Sequence, residues 1–189
     1  MDKFNTYLDL IDTELYKNFC LKYGEARLFK KKELYLRAGD ICSTFGYIKE
    51  GCFKYTCMNT AENRLHSIGF SFKDEFISDY PICKYGIPSK INIEALTDSE
   101  VYIVDIYTFI KHIYSINKET ELIKASDGIF MQSYERYINL YTQTPEERYH
   151  DLLKRCPEIL QFISLKELAS FLRITPIYLS KIRRKTLSQ

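Results

Sequence analysis

The chain has 189 residues, 46% apolar and 28% charged, the balance of a folded globular protein rather than a disordered one. Its 27 Lys and Arg stand against 25 Asp and Glu, and the net charge of +2 excludes a uniformly basic coat while leaving room for a local basic face. No apolar run reaches the length of a membrane span, and the start Met1-Asp2-Lys3-Phe4-Asn5 lacks the pattern of an export signal, so a cytoplasmic protein without a membrane partner is expected.

In chain order, Phe4, Leu8, Ile11, Leu15 and Phe19 recur at steps of three and four, which predicts a helix over residues 1–24 that stops at Gly24. From Ala26 the period shortens. Apolar alternations around Leu28, Leu34, Leu36, Tyr47-Ile48, Phe53, Tyr55, Cys57, Leu65, Ile68, Phe70 and Phe72 are separated by turn residues such as Gly39-Asp40, Glu50-Gly51 and Asn59-Thr60. Short strands punctuated in this way predict an antiparallel sandwich or barrel. The 16 Tyr and 12 Phe suit such pleated, half-buried surfaces. Residues 73–90 break the rhythm with Pro81, Gly86 and Pro88, and a long irregular insertion in a strand-rich region is often a functional loop. Strands resume at Ile91 to Leu96 and at Val101 to Ile106. Residues 107–143 then read as helix, with Leu122, Ser126, Ile129, Ser133 and Leu140 forming a narrow stripe of the kind found at a helix–helix seam.

The last 45 residues are the most strongly punctuated. Thr144-Pro145-Glu146-Glu147 predicts a capping box with Pro at the first helical position, and Pro157 helps to end that helix. Ser164-Leu165-Lys166-Glu167 predicts a second capping box, and Thr175-Pro176 repeats the cap-plus-proline start. Helices are expected at about Pro145–Cys156, Leu165–Leu172 and Pro176–Lys185. Only Arg173-Ile174-Thr175 join the last two, and Ala169 is small enough for close crossing, which describes a helix-turn-helix. Residues 145–189 carry nine basic and five acidic side chains, whereas the other 144 residues carry eighteen and twenty. Charge gathered on the terminal helix is what phosphate neutralisation requires.

These features together resemble the Crp/Fnr family of bacterial transcription regulators. The similarity spans nearly the full length: a cyclic-nucleotide-binding-like β-roll over about Ala26 to Tyr107, turns at Gly39 and Gly51, the stretch Ile93-Glu94-Ala95-Leu96-Thr97-Asp98-Ser99-Glu100-Val101, a long helix, and the tail Ser164 to Leu172 followed by Thr175 to Arg183. The implied fold is α+β, an antiparallel β-roll of the double-stranded β-helix or jelly-roll type with flanking helices, a long dimerisation helix and a C-terminal helix-turn-helix. The implied organisation is a sensor at residues 1–115, a linking and dimerising helix at 116–143 and a truncated DNA-binding unit at 144–189.

The resemblance implies a homodimer, seamed through Leu122, Ser126, Ile129, Ser133 and Leu140, that binds double-stranded DNA at a palindromic site, with RNA polymerase as a further possible partner. Pro176, Ile177, Tyr178 and Lys181 would face the groove, and Lys181 has the head group to read a guanine edge. Arg183, Arg184 and Lys185, with Ser164 and Lys166 from the preceding helix, would hold phosphates, and Thr175 and Ser180 complete the expected DNA-binding set.

Three departures from the family matter. Arg173 stands where the turn usually has Gly, so an altered turn is expected. The groove-facing positions are largely apolar. In cyclic-nucleotide binders of the family the insertion supplies Gly-Glu and Arg-Ser or Arg-Thr pairs, but the matching positions are Ser78-Asp79 and Pro88-Ser89. Pro88 offers neither charge nor donor, so cyclic AMP is not expected as the ligand. The candidate pocket residues are Ser78, Asp79, Tyr80, Ser89 and Lys90, with Ser89 and Lys90 on opposite faces if the strand has begun. No cofactor is expected, and a small-molecule effector of unknown identity is left open.

The six cysteines, Cys20, Cys42, Cys52, Cys57, Cys83 and Cys156, contain no C-x-x-C pair, and buried thiols are expected rather than disulfides or a metal site. His66, His112 and His150 lie in separate segments, with no H-E-x-x-H, G-x-S-x-G or phosphate-cradling loop, so a non-enzymatic protein is expected. The alternative to a DNA-binding regulator is a non-catalytic sensor or interaction module whose basic C-terminal helix docks a protein partner.

Overall fold

The computed structural model describes residues 4–80 and 82–187, apart from the Leu187 side chain; Met1–Lys3, Ser188, Gln189 and the turn expected at Pro81 lie outside the described residues. Among the described residues eight strands form two antiparallel sheets: β1 Glu25–Phe29, β2 Leu34–Leu36, β3 Thr44–Glu50, β4 Cys52–Asn59, β5 Arg64–Phe72, β6 Phe76–Ile77, β7 Ile91–Ala95 and β8 Ser99–Asp105. One sheet runs β1-β8-β3-β6 and the other β2-β7-β4-β5, so strands remote in sequence alternate between the sheets as in a roll. The alternation read from sequence has its cause here: Phe29, Ile48, Phe53, Ile93, Ala95 and Val101 all turn into one core. At the turn from β3 to β4, Gly51 has a φ of +98°, and a Cβ there would overlap Ser99. This position therefore needs glycine for conformation and for space.

Both long helices expected from the sequence are broken. Where one helix over residues 1–24 is expected, the described residues form a 3-10 turn, Thr6–Asp9, and then helix α1, Thr13–Tyr23. Asp12 caps α1 by accepting from the Leu15 amide at 3.0 Å, and its own amide donates to Glu121 at 2.7 Å. Residues 107–143 divide into α2, Ile106–Ser115, and α3, Glu119–Thr142. Asn117 takes a φ of +55°, the amide of Lys118 donates to the Ile113 carbonyl and that of Asn117 to the Tyr114 carbonyl. That pair of bonds is a Schellman closure, with Asn filling the left-handed position.

The C-terminal helices are α4 Pro145–Arg155, α5 Ile159–Phe162, α6 Leu165–Phe171 and α7 Pro176–Leu187. The Thr144 box is complete, with Thr144 accepting from the Glu147 amide and Glu147 accepting from the Thr144 amide. The second expected box is only half made. Ser164 accepts from the Glu167 amide at 3.2 Å, but the Glu167 carboxylate turns away to Lys54 and Ser67. The short α5 was not expected from the sequence.

The C-terminal helices have a core of their own, centred on Tyr149, Leu152, Ile159, Leu168, Ala169, Leu179 and Ile182. Phe4 and Phe70 belong to that core and not to the core of the roll. The Phe4 ring meets Phe70, Phe72 and Phe171 at centroid distances of 5.7, 5.7 and 5.4 Å. The N-terminal segment is thus an aromatic wedge between β5 and α6.

Candidate nucleic-acid interface and effector cavity

The turn between α6 and α7 keeps a regular form in spite of Arg173. Arg173 has a φ of +60°, its amide donates to the Ser170 carbonyl at 3.1 Å, and the Ile174 amide donates to the Ala169 carbonyl at 3.0 Å. This is a second Schellman closure, so the expected alteration of the turn is absent and the strain is held at one residue. Arg148 braces the turn from α4, donating to the Leu172 carbonyl at 3.0 Å and to the Gln143 carbonyl at 2.7 Å. Ala169 is fully buried where α6 meets α7.

Within α7, Leu179 and Ile182 are buried and hold the helix down. Thr175 caps it, accepting from the Tyr178 amide at 3.1 Å. Pro176, Ile177, Tyr178, Lys181, Arg184 and Lys185 are exposed, with Ile177 at 72%. The expected phosphate set does not form one uniform group. Lys185 pairs with Glu146 at 3.2 Å, and Arg183 reaches Tyr149. Ser180 donates back to the Pro176 carbonyl at 2.9 Å, the Ser164 hydroxyl is occupied as a cap, and Lys166 is exposed on α6.

Helix α6 is fastened to the roll through charge. Lys54 on β4 pairs with Glu167 at 3.1 Å and with Glu94 at 3.2 Å, while the Ser67 hydroxyl donates to Glu167 at 2.6 Å. The Ser170 hydroxyl accepts from the Ser67 amide at 2.9 Å. Burial pushes the Glu167 carboxyl up, but the Ser67 hydroxyl and the Lys54 ammonium together hold it below its ordinary value.

The candidate pocket residues are largely spent on one another. The Ser89 hydroxyl donates to Asp79 at 2.6 Å and accepts from the Ile91 amide at 3.1 Å. Backbone bonds to Gly39 and Asp40 pin Ser89 further. Ser78 donates to the Thr44 carbonyl at 2.9 Å. Tyr80 reaches α3, sharing a bond with Ser126 at 2.9 Å. Lys90 is exposed while Ser89 is buried, the opposition expected from alternation. Cys42 and Cys83 lie against each other beneath this loop, where a bond from Cys83 draws the Cys42 thiol down and leaves Cys83 raised.

Beside this loop a cavity of about 250 Å³ runs between α3 and the roll. Ser78, Asp79 and Tyr80 line it; Ser89 and Lys90 do not. The rest of its wall was not found from the sequence: Tyr7, Tyr16, Phe45, Phe76 and Phe109, with Leu122, Ala125, Ile129, Gln132, Ser133 and Arg136 from α3. Nothing in the sequence distinguishes Arg136 from any other helix arginine.

The expected seam residues mostly face inward. Leu122 is buried, Ser126 bonds Tyr80, and Ile129 and Ser133 line the cavity; Leu140 alone is well exposed and outside it. The outward face of α3 carries a different stripe. Ile123, Phe130, Tyr134, Tyr137 and Tyr141 are each more than half exposed, and with Asp127 they step by alternating fours and threes. That heptad spacing is a sequence signal, legible once the inward face is known.

Among the described residues no group of three or more His, Cys, Asp or Glu could hold a metal ion, and no helix is long and apolar enough to cross a membrane. His66 pairs with Glu62 at 2.9 Å.

No protein-family model matches the chain, and no curated protein is similar to it in sequence. Its fold is nevertheless shared with several solved structures. FixK2 from Bradyrhizobium japonicum superimposes with a TM-score of 0.76 at 14% identity, covering 88% of this chain and 85% of that one. CLP, the c-di-GMP-responsive global regulator of Xanthomonas campestris, gives 0.68 at 13% identity, covering 94% and 92%. A CooA mutant from Carboxydothermus hydrogenoformans gives 0.67 at 13% identity, covering 89% and 78%. The shared feature is the fold: two antiparallel sheets in a roll, flanking helices and a terminal helix-turn-helix.

Proposed function

We propose that the chain is a homodimeric, non-catalytic transcription regulator of the Crp/Fnr type, with a sensor over residues 1–115, a dimerising helix over 116–143 and a DNA-binding unit over 144–189. The observation that carries this reading is the exposed N-terminal half of α7. Ile177, Tyr178 and Lys181 project from a helix whose opposite face, Leu179 and Ile182, is buried, behind a closed helix-turn-helix turn. A helix so mounted enters a major groove by its first turns. Lys166 and Arg184 flank it at positions suited to phosphates.

The dimer forms through Ile123, Phe130, Tyr134, Tyr137 and Tyr141, which takes the seam one face round from Leu122, Ser126, Ile129 and Ser133. The inner stripe then faces the effector cavity and the outer stripe the partner, so α3 couples the two. Selection of bound duplexes from a random pool tests the reading, with enrichment of a two-fold symmetric site expected. No enrichment, and no competition by generic duplex, would leave the exposed Ile177 and Tyr178 as contacts for a protein partner. Cyclic AMP is expected to give no binding heat in calorimetry, because Asp79 and Ser89 bond each other and no arginine occupies the loop.

A further inference from the structure

Two thiols meet beneath the loop of residues 78–90. Cys42 follows the turn at Gly39-Asp40 and is buried, and Cys83 is buried on the 3-10 turn Ile82–Lys84. Their side chains share a hydrogen bond, and both reach Ser78, whose hydroxyl lies 3.6 Å from the Cys42 sulfur. The Cys42 thiol donates to the Thr44 carbonyl at 3.5 Å, and the Asp79 amide is a donor to its sulfur. The Cys83 amide donates to the Asp79 carbonyl at 3.0 Å, which fixes the turn that carries the second thiol. Neither cysteine lines the cavity beside α3.

The two sulfurs are not equivalent. The bond from Cys83, helped by the Asp79 amide and opposed by burial, draws the Cys42 thiol down to about 6, while the same contact raises Cys83. At neutral pH Cys42 is therefore largely thiolate, the form that attacks electrophiles, and Cys83 keeps its proton. Cys20, Cys52 and Cys156 are the opposite case, since burial pushes each of them up. The pair lies one layer below solvent. Ile41 and Ser43 on either side of Cys42 are exposed, as are Tyr85 and Ile87 beyond Cys83. A small electrophile has only the loop to pass before it meets a thiolate with a resolving thiol beside it.

We propose that Cys42 and Cys83 are a modification site for hydroperoxides, at which the two thiols close to an internal disulfide. The Cys42 thiolate attacks the outer peroxide oxygen. The O–O bond breaks, the sulfur becomes a sulfenic acid, and the departing hydroxide or alkoxide takes a proton from water. The Cys83 sulfur then attacks the Cys42 sulfur. The S–S bond forms, the S–O bond breaks, and hydroxide leaves as water with the Cys83 proton. Two thiols are oxidised and one hydroperoxide is reduced, to water or an alcohol plus a second water. Bonded sulfurs stand about 2 Å apart, closer than hydrogen-bonded ones, so closure draws the Ile82–Lys84 turn towards Cys42. Lys84 of that turn donates to Ser126 at 3.4 Å, and Tyr80 just before it bonds Ser126 at 2.9 Å and the Leu122 carbonyl at 3.3 Å. Oxidation therefore pulls on α3; its effect on DNA rests on the regulator reading above.

The test treats the whole reduced chain with hydrogen peroxide or cumene hydroperoxide, alkylates the remaining thiols and maps the peptides by mass without reduction. A peptide joined through Cys42 and Cys83 is expected, with two hydrogens lost from the intact chain and regained on adding dithiothreitol. Cys83→Ser should leave a sulfenic acid on Cys42 that dimedone traps, at a rate that rises with pH through about 6. The map of the parent needs no substitution, so it decides the matter even where that variant fails to fold. Cys42 and Cys83 both still open to alkylation, a bond from either to another cysteine instead, or sulfenic acid on Cys57 with Cys42 untouched overturns the proposal. The oxidised chain should bind duplex about tenfold more weakly and recover on reduction. Unchanged affinity with the bond formed overturns the link to α3. A reduced chain that binds no duplex counts against the regulator reading, and the peptide map still decides the disulfide.

Discussion

Arg173 shows how much one residue can absorb. Its left-handed backbone crowds Cβ against the following carbonyl at a cost of about 1–2 kcal/mol, while glycine there would lose about 0.5–1 kcal/mol more chain entropy on folding. Arg173→Gly should therefore stabilise the protein by roughly 0.5–1 kcal/mol, read as a higher urea midpoint at unchanged slope. A lower midpoint would mean that the arginine side chain contributes more than its backbone costs. Lys181 differs in kind, since it is exposed and no bond to another described residue holds it. Lys181→Ala should lose about 1–3 kcal/mol on the selected duplex and much less on generic duplex. An equal loss on both would remove Lys181 from the groove and make it a phosphate contact.

At the scale of elements, the docking of α6 on the roll depends on ionisation. Glu167 is held below its ordinary pKa in the folded chain, so its stabilising contribution is complete above the unfolded value, near 4.3, and is lost as pH falls through the lowered folded value. Glu167→Gln should cost about 1–2 kcal/mol at pH 7, with the gap to the parent closing below about pH 4 in chemical unfolding. A gap that stays constant with pH would show that the Ser67 bond matters and the charge does not. The sequence was silent about this contact. It revealed the cap at Ser164 because capping is local, but Glu167 had a choice between its own helix and Lys54, more than a hundred residues away. The same division explains the other elements. Strands and the last helices were legible because alternation, Thr-Pro and Ser-x-x-Glu act within a few residues. The breaks at Asp12 and Asn117 were masked because the apolar stripe continues across them. Asn117 was nonetheless a readable stop, since Asn tolerates the left-handed closing position of a helix. Of the cavity, only the loop edge at Ser78–Tyr80 was visible. Tyr16 and Arg136 reach it through packing, which no local pattern encodes.

For the whole molecule, a net charge of +2 says little about DNA until its geometry is known. Of the basic residues on α7, Lys185 is tied to Glu146 and Arg183 lies against Tyr149, while Lys181 and Arg184 are exposed. On the proposed dimer, one of these with Lys166 would neutralise about two phosphates per protomer, or about four in all, for a slope near −4 of log affinity against log salt. In that reading the slope belongs to the dimer and not to one chain. Tyr134 sits at the middle of the outward aromatic stripe of α3, and in the proposed dimer a charge there would have to be desolvated against its own copy. Tyr134→Glu should therefore yield a monomer in sedimentation, with a slope near −2 and no preference for a two-fold symmetric duplex over a half-site. Leu140, from the stripe first read as the seam, should tolerate the same change with smaller loss because it lies beside the seam. If Tyr134→Glu stays dimeric with a full slope, the outward stripe is not the seam; if the parent slope itself is near zero, phosphate contacts do not carry the affinity and α7 is not a DNA-reading helix.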